Sequence, residues 1–157
     1  MAPLRSGPRA SATAQRRSSW ACRDLAVTAI IAEAPYRHAP TPARNVLRIR
    51  GLPYRWNIAP AFALLGLRFG VGARWSGFDR ALHAAGLACP LVVIHGELDE
   101  VCPMNDGREI AAAGRGVLVA VPDAGHHGLW THPESAAVCV GAVREFLNQT
   151  RGRRACD

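Results

Sequence analysis

Four apolar segments stand out along the chain, and their patterns differ. Ala26–Glu33 (AVTAIIAE) is a short, nearly continuous apolar run with β-branched residues, which predicts a strand covered on both faces. Pro90–His95 (PLVVIH) predicts a second buried strand, ending at Gly96, and Gly116–Val121 (GVLVAV) a third. From about Thr131 the pattern changes to a helical period, with Val138, Ala142, Val143, Phe146 and Leu147 on one face. Thr131 and Glu134 have the spacing of a capping box, with Pro133 tolerated in the first turn.

Between these segments the chain is less regular. Ala34–Pro42 carries Pro35, Pro40 and Pro42, which break regularity. Within 43–88, helices are expected around Ile58–Leu67 and Gly77–Ala85, and Tyr54, Trp56 and Trp75 read as packing residues. A helix is expected over Pro103–Ala113. Strand, helix, strand, helix with apolar strands argues for a parallel α/β sheet. No internal repeat is visible.

Charge and cysteines narrow the class. All 19 basic residues are arginine, and the net charge is +7. Residues 1–23 hold five Arg, four Ser and no acid, a composition shared by a transit peptide, a disordered arm and out-of-frame translation of a GC-rich gene. The Arg residues lack the interleaved aromatics of a base-stacking surface, so nucleic acid is not an expected partner. No run reaches the roughly 18 apolar residues of a membrane span, and no membrane partner is expected. Five cysteines without a CxxC pair read as reduced thiols, consistent with the cytoplasm.

Two loops carry the chemistry. The first follows the second strand and reads His95-Gly96-Glu97-Leu98-Asp99-Glu100-Val101-Cys102-Pro103; the second follows the third strand and reads Pro122-Asp123-Ala124-Gly125-His126-His127-Gly128. Both fall at the carboxyl ends of predicted parallel strands, where open α/β sheets place their sites. A carboxylate on one imidazole nitrogen fixes the tautomer that lets the other nitrogen accept a proton. Asp99 also reads as a turn residue and His126 as a structural loop histidine. Glu97, Glu100 and Asp106 read as solvated acids, and His126, His127, His132 and Cys139 fit no standard zinc spacing.

The run G-x-x-D-x-x-x-P (Gly96, Asp99, Pro103), followed by helix, strand and A-G-H (Ala124, Gly125, His126), resembles the end of α/β-hydrolases, nearest the serine aminopeptidase, prolyl-oligopeptidase and lipase-like group. The resemblance covers about 25–36 and 87–150. It implies the C-terminal part of a hydrolase sheet, about three strands with flanking helices, plus a helical cap-like insertion at 37–86. On this match residues 25–150 form the partial domain, 1–24 a separate Arg/Ser-rich segment and 151–157 a basic tail. The resemblance further implies Asp99 as triad acid, His126 as triad base, and an ester or amide substrate, small molecule or peptide. No cofactor and no metal are implied.

The family's nucleophile sits in G-x-S-x-G, and no such motif occurs here. Ser6 lies between Leu4 and Pro8 where glycines belong, Ser18 and Ser19 lie too close to the first strand, and Cys22 has no elbow around it. The expectation is therefore a truncated or frameshifted hydrolase whose serine is missing from this chain, with a non-catalytic remnant acting as a binding module as the rival. The first strand would then expose an apolar edge, and the chain would oligomerise or dissolve poorly.

Overall fold

The structure is a computed structural model that describes residues 27–75 and 77–154. Expectations for the Arg/Ser-rich segment, Ser6, Ser18, Ser19, Cys22 and residues 155–157 lie outside the described residues. Three strands, β1 (Ile30–Glu33), β2 (Leu91–Gly96) and β3 (Val117–Val121), form a parallel sheet in the order β1-β2-β3. The register pairs Ile30 with Leu91 and Val92 with Val117. Helices α1 (Pro40–Ile49), α2 (Tyr54–Asn57), α3 (Ala59–Arg68) and α4 (Arg80–Ala84) separate β1 from β2. Helix α5 (Met104–Ala113) connects β2 to β3, and α6 (Pro133–Arg154) follows β3.

The sheet sorts side chains by the two-residue period of its strands. Val92 and Ile94 point into one cluster with Val121, Leu129, Cys139 and Phe146, so α6 covers that face. Leu91 and Val93 point the other way, onto Ala81, Ala84, Ile110 and Ala111 of α4 and α5. Only β2 is buried along its whole length. Strand β1 begins four residues later than expected and is not covered on both faces: Ile30 and Ala32 pack on the second cluster, whereas Ile31 is 42% exposed. Among the described residues β1 pairs with β2 alone, so its outer edge is open.

Three further expectations are corrected. Helix α1 begins inside the Ala34–Pro42 stretch read as broken by proline, because Pro40 and Pro42 fall in its first turn, where an N–H has no intrahelical partner to lose. Helix α6 starts at Pro133; Thr131 precedes the cap position, and its hydroxyl donates to the carbonyl of His127 rather than closing a capping box. Trp56 does not pack but is 84% exposed, because α2 is a single turn ending against α3. Trp75 does pack, with its rings set against Phe62, Phe69 and Phe78 and its Nε1–H donating to the Phe62 carbonyl.

Candidate functional site

The loops after β2 and β3 meet at the carboxyl end of the sheet. Glu97 N–H donates to the Val121 carbonyl and Leu98 N–H to the Ala124 carbonyl, 3.1 and 3.0 Å away. The approach is close enough that a Cβ on Gly96 would sit 2.2 Å from the Ala124 oxygen. Glycine at 96 is therefore a condition for the two loops to touch.

Asp99 stands on the first loop with its side chain fully buried. Its Oδ1 accepts from the N–H groups of Val101 (2.9 Å) and Cys102 (2.7 Å), closing an Asx turn. Its Oδ2 accepts from His126 Nδ1 at 2.9 Å. A carboxylate oxygen in that position places the ring proton on Nδ1 and leaves the lone pair on Nε2. The His126 side chain is 29% exposed, so one edge of the ring is buried against the acid and the other reaches solvent. The two residues singled out in the sequence, 27 positions apart, are thus in direct contact.

Two residues that the sequence pattern did not mark hold this turn from outside. His95, the last side chain of β2 before Gly96, is fully buried, and its Nε2–H donates to the Cys102 carbonyl at 2.8 Å. The same nitrogen is 3.6 Å from Asp99 Oδ2, too far for a hydrogen bond. His95 Nδ1 has no hydrogen-bond partner and faces Gly107 of α5, where a Cβ would lie 2.3 Å from it. Asn45, buried on α1, donates from Nδ2 to the Val101 carbonyl at 2.9 Å. Val101 and Cys102, the residues whose N–H groups hold Asp99, are therefore gripped by their carbonyls as well. A histidine closing an otherwise apolar strand was the available signal for His95; Asn45 had none.

The other candidates fall elsewhere. His127 is exposed and sets its ring edge-on to His126 at 5.0 Å. Cys139 is buried in the core, with Sγ turned to the Leu129 carbonyl. Glu97 and Glu100 are exposed, but Asp106 is not a free acid: its Oδ2 accepts the Arg37 N–H at 2.9 Å. The Arg37 guanidinium pairs with Asp79 and Glu109, tying the chain after β1 to α4 and α5. That pairing holds the Asp79 carboxyl down at about 2 and lowers Glu109 as well.

Donor atoms of Asp99, Cys102 and His126 lie within 4.8 Å of one another. Burial, with Asp99 and Asp106 nearby, pushes the Cys102 thiol up to about 12, so it is protonated near neutrality. A cavity of about 530 Å³ between the loop after β3 and the start of α6 is lined by Val121, Asp123, His132, Glu134 and Val138, and includes neither Asp99 nor His126.

No family model matches the chain, and no curated protein is significantly similar to it. Solved structures do match. An esterase of Pyrococcus furiosus aligns over 87% of this chain and 50% of its own, at 16% identity and a TM-score of 0.56. The Rv0554 protein of Mycobacterium tuberculosis aligns over 87% and 62%, at 21% identity and a TM-score of 0.52. A hydrolase of Pseudomonas aeruginosa aligns over 85% and 60%, at 21% identity and a TM-score of 0.50. The chain spans half to somewhat under two thirds of these proteins, at identities that establish a fold rather than an activity. With three parallel strands, flanking helices and this sheet-end geometry, the chain carries part of an α/β-hydrolase fold.

Proposed function

We propose that this chain supplies the acid and base of a serine-type hydrolase acting on ester or amide bonds, with Asp99 orienting His126. The observation that carries the reading is the 2.9 Å contact from His126 Nδ1 to a fully buried Asp99 carboxylate, with the ring's other edge open. In this geometry His126 Nε2 takes the proton of a hydroxyl nucleophile as the hydroxyl oxygen bonds the substrate carbonyl carbon. Asp99 stabilises the imidazolium, which then returns the proton to the leaving alcohol or amine. Water repeats the sequence on the acyl-enzyme. The 157 residues contain no G-x-S-x-G, so the serine and its oxyanion donors are assigned to sequence outside this chain, as in a truncated or frameshifted gene. The helices between β1 and β2 are read as the cap that sets substrate choice.

The experiment is to translate every frame upstream of Leu25 and to express the chain with and without the longest frame that contains it. Activated esters and aminoacyl anilides serve as substrates. Turnover in the longer product should fall by roughly 10³-fold or more in His126→Ala. Full turnover in that variant would overturn the assignment. The rival reading, a non-catalytic remnant used for binding, is favoured by the absence of the elbow motif; it predicts neither turnover nor labelling by fluorophosphonates in any product.

A further inference from the structure

Helix α3 reads Ala-Pro-Ala-Phe-Ala-Leu-Leu-Gly-Leu-Arg, apolar around its whole circumference up to Arg68. A helix of that composition is ordinarily buried. Here only Gly66 is, with Ala59, Phe62 and Ala63 half-covered. Leu64 is 69% exposed, Leu67 61% and Phe69, just past the helix, 65%; Trp56 on the adjoining α2 is 84% exposed. So many large apolar side chains on adjoining elements mark a surface that meets something.

The charge around them says what. From Ala34 to Phe78 the sequence holds seven arginines and no acidic residue. Arg37 is taken up by Asp79 and Glu109. The other six, Arg44, Arg48, Arg50, Arg55, Arg68 and Arg74, are exposed, and among the described residues none lies in an ion pair. A second copy would set these arginines against their own kind with no acid to answer them, which disfavours self-association through this face.

We propose that the α2–α3 surface docks on an anionic lipid bilayer, with Trp56, Leu64, Leu67 and Phe69 in the interface and the arginines on headgroup phosphates. Apolar side chains at the acyl boundary with basic groups at headgroup level are the two components of peripheral membrane binding. Among the described residues no helix is long and apolar enough to cross a membrane, so the contact is peripheral. These are helices that the hydrolase reading makes the cap, and the expectation of no membrane partner rested on the lack of a spanning run, which does not bear on a peripheral contact.

The test is flotation of the full chain with pure phosphatidylcholine vesicles and with mixed phosphatidylcholine–phosphatidylglycerol vesicles, at low and high salt. Binding to the mixed vesicles alone, weakening as salt rises, is the expected result. Combined Trp56→Ser, Leu64→Ser and Leu67→Ser substitutions leave the charge intact and should lower partitioning by about tenfold or more. The pair Arg55→Glu and Arg68→Glu should do the same, and keeps the test open if the serine variant misfolds. Equal binding of the serine variant would assign the attraction to arginine charge elsewhere in the chain, and equal binding to pure phosphatidylcholine would remove the anionic requirement. Either overturns the proposal, as does a dimer that the serine substitutions dissociate in a chain that ignores both vesicles.

Discussion

Asn45 and Asp99 share no hydrogen bond, yet both hold the Val101–Cys102 peptide: its carbonyl, on Val101, accepts from Asn45 Nδ2, and its N–H, on Cys102, donates to Asp99 Oδ1. The side chain from α1 and the acid on the loop after β2 are thereby coupled through one rigid unit. A shift of α1 would then act on the carboxylate bonded to His126 Nδ1. Replacing Asn45 by Leu keeps the volume but leaves a carbonyl without its donor, at a cost of about 1–3 kcal/mol in chemical denaturation. The ring ¹⁵N spectrum should also change, from a single Nδ1–H tautomer of His126 to a mixture. Asp99→Asn is the reference for full loss of that tautomer. An unchanged spectrum in Asn45→Leu would show that the turn holds its shape unaided.

His95 and Gly107 make a second coupled pair. A methyl at 107 would lie 2.3 Å from His95 Nδ1, so Gly107→Ala must displace either the ring or α5. Overpacking of this kind costs about 1–3 kcal/mol. In a His95→Ser background the obstacle is gone, and the cost of Gly107→Ala should shrink to a few tenths. A double-mutant cycle by denaturant titration decides it; additive costs would mean that the ring is not what excludes the methyl.

Acid stability should report the Arg37 cluster. The Asp79 carboxyl is held at about 2 by Arg37, below the roughly 4 of an unfolded chain. A depressed folded value means that the stabilisation is present above about pH 4 and is lost as pH falls toward about 2. Glu109 is shifted in the same direction for the same reason. Arg37→Met should therefore be less stable than the wild type at about pH 6, and the gap should narrow near pH 2. A gap that stays constant across that range would show that the cluster contributes nothing through ionisation.

Thiol labelling tests the packing of the acid loop. Cys102 is 2% exposed and its thiol is pushed up to about 12. At about pH 8 only about one in 10⁴ of it is thiolate, so maleimide should reach it on unfolding and not before. Peptide mapping after timed labelling gives the answer. Rapid native labelling at Cys102 would mean that the Asx turn opens on that timescale.

Local pattern made the three strands and the two loops legible, and the resemblance to α/β-hydrolases singled out Asp99 and His126 within those loops. A parallel strand buried on its faces must be a short apolar run, and an acid and a histidine at the ends of neighbouring strands are brought together by the sheet itself. Helix α1 escaped because proline breaks a helix everywhere except its first turn, and only the finished helix shows where that turn lies. Asn45 lies 56 residues from Val101, and Arg37 lies 42 and 72 residues from Asp79 and Glu109. Nothing periodic records such pairings, which exist once the chain has packed. The exposure of Trp56 and Leu64 belongs with them. Composition marks both as apolar, but whether an apolar residue finds a core or a surface is decided by how many elements surround it, and α2 and α3 lie outside both core clusters.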